Sequence, residues 1–120
     1  MPRVDVVFFA DADGDAPALA WLDGLPQKVK YKFIARMERL AASGGALRRP
    51  HASILRDGIY ELRVRHMRVH YRMLYFFHGQ RAVLASGLKK TDRVPDREID
   101  RAVGRMNAFA RAPRRHTYME

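Results

Sequence analysis

Apolar and polar positions alternate most regularly in GIYELRVRHMRVHYRMLYFF, residues 58–77. Successive side chains of a strand point to opposite faces of a sheet. In the first part of this segment Tyr60, Leu62, Val64 and His66 share one face, and Ile59, Glu61, Arg63 and Arg65 share the other. In the second part Val69, Tyr71, Met73, Tyr75 and Phe77 oppose His70, Arg72, Leu74, Phe76 and His78. A tight link at Met67-Arg68 joins the two strands, and HGQ turns the chain into another strand over RAVLASGLKK. RVDVVFF near the N-terminus alternates in the same way and predicts a first strand.

The period becomes helical in LPQKVKYKFIARMERLAASGG, where Val29, Phe33, Met37 and Leu40 mark one apolar face. Pro26 sits at its start and Gly44-Gly45 at its end. APALAWLDGL predicts a shorter helix, with Asp15 as N-cap and Pro17 in the first turn. A last helix, PDREIDRAVGRMNAFAR, buries Ile99, Val103 and Met106 and sets Arg97, Arg101 and Arg105 at i, i+4 and i+8. ADADGD reads as an acidic loop and ALRRPHASILRD as an irregular connector.

The order β-α-α-(β)-β-β-β-α, the bracketed strand optional, predicts an α+β fold. Its expected form is a small twisted antiparallel sheet with the two N-terminal helices packed on one face, plus a C-terminal helix. The opposite face is then expected to stay open. Residues 1–112 are expected to form one domain and 113–120 a basic, flexible tail.

Charge sharpens this picture. The 120 residues carry +10, from 23 Lys and Arg against 13 Asp and Glu. Residues 1–47 hold six basic and six acidic residues, so residues 48–120 carry the whole excess. Fifteen of the 17 basic residues in that second part are Arg, the side chain suited to bidentate phosphate contacts and to stacking on bases. A neutral half beside a basic half points to a polyanion-binding surface. On the expected open face Arg63 and Arg65 are joined by Arg72 and His70 if the register permits. Lys89 and Lys90, at the end of the following strand, lie within reach. Like charges this close repel, and a polyphosphate ligand accounts for them better than stability does.

Other chemistries find little support. There is no cysteine, hence no disulfide, thiolate metal site or thiol nucleophile. His66 and His70 are four apart on a strand with no adjoining Glu, and Asp11, Asp13 and Asp15 lack the remaining ligands of a calcium loop. No metal or small-molecule cofactor is expected. The N-terminus lacks the apolar core of a signal peptide, and the longest apolar run, Val6–Ala10, is too short to cross a bilayer. A cytoplasmic protein without membrane contact is the expectation.

Four short motifs recur in a fixed order: YELR (Tyr60–Arg63), YRxxY (Tyr71–Tyr75), GxKK (Gly87–Lys90), and Pro95 followed by Glu98 and Ile99. With Leu25-Pro26 opening the long helix, the chain up to its tail resembles the HigB-like, phage-associated branch of the RelE/ParE toxin superfamily. That resemblance implies a toxin of a type II toxin–antitoxin pair, which cuts mRNA on the ribosome without a metal. Partners would be the ribosome, mRNA and a cognate antitoxin of the helix-turn-helix, HigA-like kind. The resemblance carries catalytic roles onto Arg63, Arg65, Arg72, Lys89 and Lys90, with Arg72 at the scissile phosphate and the lysines near the leaving oxygen.

His70 joins them as a candidate general base. His66, beside the turn and able to face either way, and Lys89 or Lys90, crowded by other cations, are the alternatives, and the residues do not decide between them. Arg68, His66, Arg97, Arg101 and Tyr118 are candidate RNA contacts. The chain departs from RelE-type enzymes in carrying Arg where they favour Lys, and TDRVPDREI offers no aromatic to stack a base. A ParE-like inhibitor of DNA gyrase, or a non-catalytic RNA- or DNA-binding protein, are the alternatives.

Overall fold

The computed structural model describes residues 3–47, 51–90 and 92–119. Five strands, β1 (Asp5–Phe8), β2 (Ala52–Arg56), β3 (Ile59–His66), β4 (Val69–His78) and β5 (Arg81–Lys89), form one sheet in the order β1-β5-β4-β3-β2. Three helices accompany it: α1 (Pro17–Asp23), α2 (Gln27–Ser43) and α3 (Asp96–Arg111). The fold is α+β.

The alternation between Ile59 and His78 translates directly into packing. Leu62, Val64, Met73 and Tyr75 bury against Val29, Phe33 and Leu40 of α2. Gly87, in the GxKK motif, lies under the Trp21 indole of α1, so that a Cβ there would collide with the ring. The motif's glycine thus serves helix packing. At the β3–β4 link both Met67 (φ 51°) and Arg68 (φ 67°) adopt left-handed backbone. This geometry matches the twist of a two-residue hairpin, at about 1 to 2 kcal/mol for each residue that is not glycine.

The sheet departs from expectation in two ways. It is mixed, because β1 pairs in parallel with β5, Asp5 opposite Arg81 and Phe8 opposite Leu84. A parallel pair needs a long connection, and α1, α2 and three strands supply it; alternation within a strand says nothing of a partner's direction. The helices also lie on both faces. Ile99, Ala102 and Phe109 of α3 bury against Ile59, Leu74, Phe76 and Val83, on the face expected to remain open. The end carrying Arg63, Arg65 and His70 lies outside this buried cluster, with Arg65 exposed and the other two half-buried.

Smaller corrections follow from local chemistry. Part of the irregular connector is the edge strand β2, bulged between Ile54 and Arg56, which blurs its alternation; Arg48–Pro50 lie outside the described residues. The α1 N-cap is Ala16 rather than Asp15, whose amide instead donates to Asp11 Oδ1 at 3.0 Å. On α3, Ile99 is buried as expected, but Ala102 and Phe109 complete the buried set while Val103 and Met106 are half-covered. The segment expected to be a loose tail runs back along β1. The His116 ring stacks on Phe9 at 5.2 Å, Thr117 bridges to Phe9, and the Tyr118 amide donates to Phe8 O at 2.9 Å. No helix among the described residues is long and apolar enough to cross a membrane.

Candidate nucleic-acid interface

The hairpin register places Arg63 directly opposite Arg72, and Arg65 directly opposite His70. All four side chains therefore project from the same face, as strand alternation requires. The two central arginines differ sharply. Arg63 is half-buried and Arg65 exposed, and neither side chain has an ion-pair or hydrogen-bond partner among the described residues.

Arg72 is buried and fully engaged. Its Nη1 donates to Glu61 Oε1 at 2.6 Å, its Nε to Lys90 O at 3.1 Å and its Nη2 to Asp92 O at 2.9 Å. Ser53 Oγ, from β2, donates to the second Glu61 oxygen at 2.8 Å. The side chains of Glu61 and Arg72 are only 5% and 10% exposed, so each charge needs the other. Removing one partner of such a pair costs about 3 to 5 kcal/mol.

This chain of contacts fixes the exit of β5. The Lys90 amide donates to His70 O at 3.1 Å while its carbonyl accepts from Arg72, so Lys90 is held at both backbone ends beside His70. Val69, His70, Lys89, Lys90 and Asp92 line a cavity of about 250 Å³ there. Lys89 pairs in register with Tyr71 and so belongs to the α2 side of the sheet, while both lysine side chains remain exposed.

The remaining candidates disperse. His66 lies on the α2 side, where its Nδ1 accepts from the Lys32 ammonium at 3.2 Å. Arg68 is exposed at the hairpin tip. Arg97 and Arg101 both flank Glu98, at 3.9 and 3.4 Å. Arg105, third in that stripe, turns inward to donate to Ala85 O at 2.8 Å and Ser86 Oγ at 2.9 Å. Burial, then the Arg101 charge, lowers the Arg105 pKa. Tyr71 is buried among the α2-side core, and Tyr118 lies beside β1, so neither reaches the cleft. The Asp11, Asp13 and Asp15 carboxylates lie within 4.8 Å of one another, and Asp11 Oδ1 already accepts the amides of Asp13 and Asp15.

Sequence reasoning missed two contributions. Glu61 is the only acid between Ile59 and His78, which was the available signal that an arginine there is paired. Lys32 and Arg36 of α2 reach the backbone of the site strand, donating to Arg65 O at 3.4 Å and Arg63 O at 3.3 Å. Nothing in a local window announces such contacts.

A search of the curated proteins found no match. Over residues 20–107 the sequence matches the family described as phage derived protein Gp49-like (DUF891), a span that includes α2, β2 to β5 and the site residues of the hairpin. The chain belongs to this family of Gp49-like, phage-derived proteins.

Proposed function

We propose that this protein is a toxin of the RelE/HigB kind, a metal-independent endoribonuclease that cuts mRNA on the ribosome. The observation that carries the reading is that Arg63 and Arg65, whose side chains have no ion-pair or hydrogen-bond partner among the described residues, stand in register with Arg72 and His70 at the end of the face outside the α3 core cluster. Membership in a phage-derived family and the four ordered motifs support it.

In the cleavage step a base takes the proton of a ribose 2′-hydroxyl, and that oxygen attacks the adjacent phosphorus. The P–O5′ bond breaks as the new bond forms, leaving a 2′,3′-cyclic phosphate and a protonated 5′-hydroxyl. Arg63 and Arg65 hold the extra negative charge of the transition state, where a guanidinium can give two parallel hydrogen bonds. His70 or Lys90 handles the protons, both standing at the cleft wall. Arg72 acts as a positioning residue, because Glu61 and two carbonyls occupy its guanidinium. A small antitoxin, encoded beside this protein, would neutralise it by covering the cleft or the helices.

The test mixes purified protein with ribosomes programmed with labelled mRNA, and separately with the naked RNA, alongside Lys90→Ala. The expected result is cuts on the ribosome only, lost in the variant. Intact RNA in every lane overturns the reading, and inhibition of gyrase supercoiling in a parallel assay would then mark a ParE-like activity.

A further inference from the structure

The strand that carries Arg63 and Arg65 is joined to α2 as well as to β4. Arg63 and Arg65 turn their backbone groups away from β4, and the Arg63 amide donates to His51 O at 2.8 Å on that side. Their carbonyls are taken by α2, through Arg36 and Lys32. The residues whose side chains floor the cleft are thus tied through their backbone to a second run of cations.

On α2, Lys28, Lys32 and Arg36 recur at i, i+4 and i+8, about 6 Å per step along the helix, and Arg39 follows one turn on. Lys28, Lys32 and Arg39 are exposed, and none of the four has a carboxylate within ion-pair distance among the described residues. Two of the six acids in residues 1–47 are used elsewhere: Asp23 pairs with Lys30 at 2.9 Å, and Asp11 caps its own loop; Glu38, on α2 itself, is exposed and forms no ion pair among the described residues. The crowding is felt locally. Burial, then Arg39, lowers the Arg36 pKa, and burial, then Arg36 and Arg39, lowers that of His51. Four like charges on one flank oppose folding unless a polyanion meets them.

We propose that Lys28, Lys32, Arg36 and Arg39 form a second nucleic-acid contact. It continues the path of Arg63 and Arg65 over the β3 edge onto α2 and holds the phosphate backbone of single-stranded RNA. The choice of RNA rests on the proposed function; the contact itself does not.

Binding of a labelled single-stranded RNA of about 16 nucleotides is followed by fluorescence anisotropy across a salt series, without ribosomes. Each phosphate contact on a single strand contributes about 0.7 to the slope of log K against log salt. Lys28→Gln/Lys32→Gln/Arg39→Gln is therefore expected to flatten the slope by about 2. Lys28→Gln/Arg39→Gln keeps the Lys32 hydrogen bonds and is expected to flatten it by about 1.4. The charge-matched control Arg111→Gln/Arg114→Gln/Arg115→Gln, at exposed positions, is expected to leave it unchanged. Slopes equal to the control, or no RNA binding by the unaltered protein, overturn the inference. Poly-glutamate that binds as tightly and loses affinity equally in the α2 variants overturns it in favour of an acidic protein partner. Altered slopes without cleavage on ribosomes would instead overturn the proposed function and leave this contact standing.

Discussion

The face of the sheet under α3 has two halves built from the same two strands, and they behave oppositely. At one half Ile59, Leu74 and Phe76 are 0 to 1% exposed beneath Phe109. At the other, Arg63, Arg65 and His70 continue the same alternation outside the cluster that α3 buries. Between the two stands the Glu61–Arg72 pair, buried enough to belong to the core and polar enough to border the cleft. One periodic pattern thus makes a core where α3 packs and a candidate binding surface beyond that cluster. The boundary is where a charge must be neutralised internally.

This contrast can be broken from either side. Phe109→Ala should empty the covered half at about 3 to 5 kcal/mol in urea unfolding. Glu61→Ala should cost a similar amount, about 3 to 5 kcal/mol, by stranding Arg72. Replacing both members, as Glu61→Leu with Arg72→Met, should recover most of that stability while loosening the Lys90–Asp92 segment, read as faster amide exchange at Lys90.

At the hairpin tip, Met67→Asn with Arg68→Gly relieves left-handed backbone at two positions. It should stabilise the protein by about 1 kcal/mol in thermal unfolding. RNA binding should weaken in the same variant, since the exposed Arg68 charge is lost.

The smallest effect concerns His51, whose pKa is lowered by burial and then by Arg36 and Arg39. Its unfolded form takes up a proton near pH 6.5, more readily than its folded form. The His51 contribution to stability is therefore present above that pH and lost as pH falls through the lowered folded value. His51→Gln should flatten the acid side of the Tm profile slightly.

Much of the fold was legible because alternation and helical period are local. The hairpin, the faces of β3 and β4 and the apolar stripe of α2 all follow from spacing alone. The parallel pairing of β1, the arrival of α3 on the second face and the return of His116 to Phe9 depend on long-range geometry. Of the candidate site, spacing paired Arg63 with Arg65 and Arg72 with His70, and left it to the hairpin register whether the two pairs share one face. It did not distinguish Arg72, which pairs with Glu61 one strand away, from Arg63 and Arg65, whose side chains have no partner among the described residues. The basic row of α2 stayed hidden for a different reason: a segment's net charge adds up acids and bases that the fold separates.

The most direct test is the single-turnover rate of mRNA cleavage on programmed ribosomes by Arg65→Ala, with its urea midpoint measured alongside. The account predicts a loss of about a hundredfold, near 3 kcal/mol of transition-state stabilisation, with stability changed by no more than about 0.5 kcal/mol. A cleavage rate equal to that of the unaltered protein would contradict it, and would make the arginine-bearing half of the face a solvated surface.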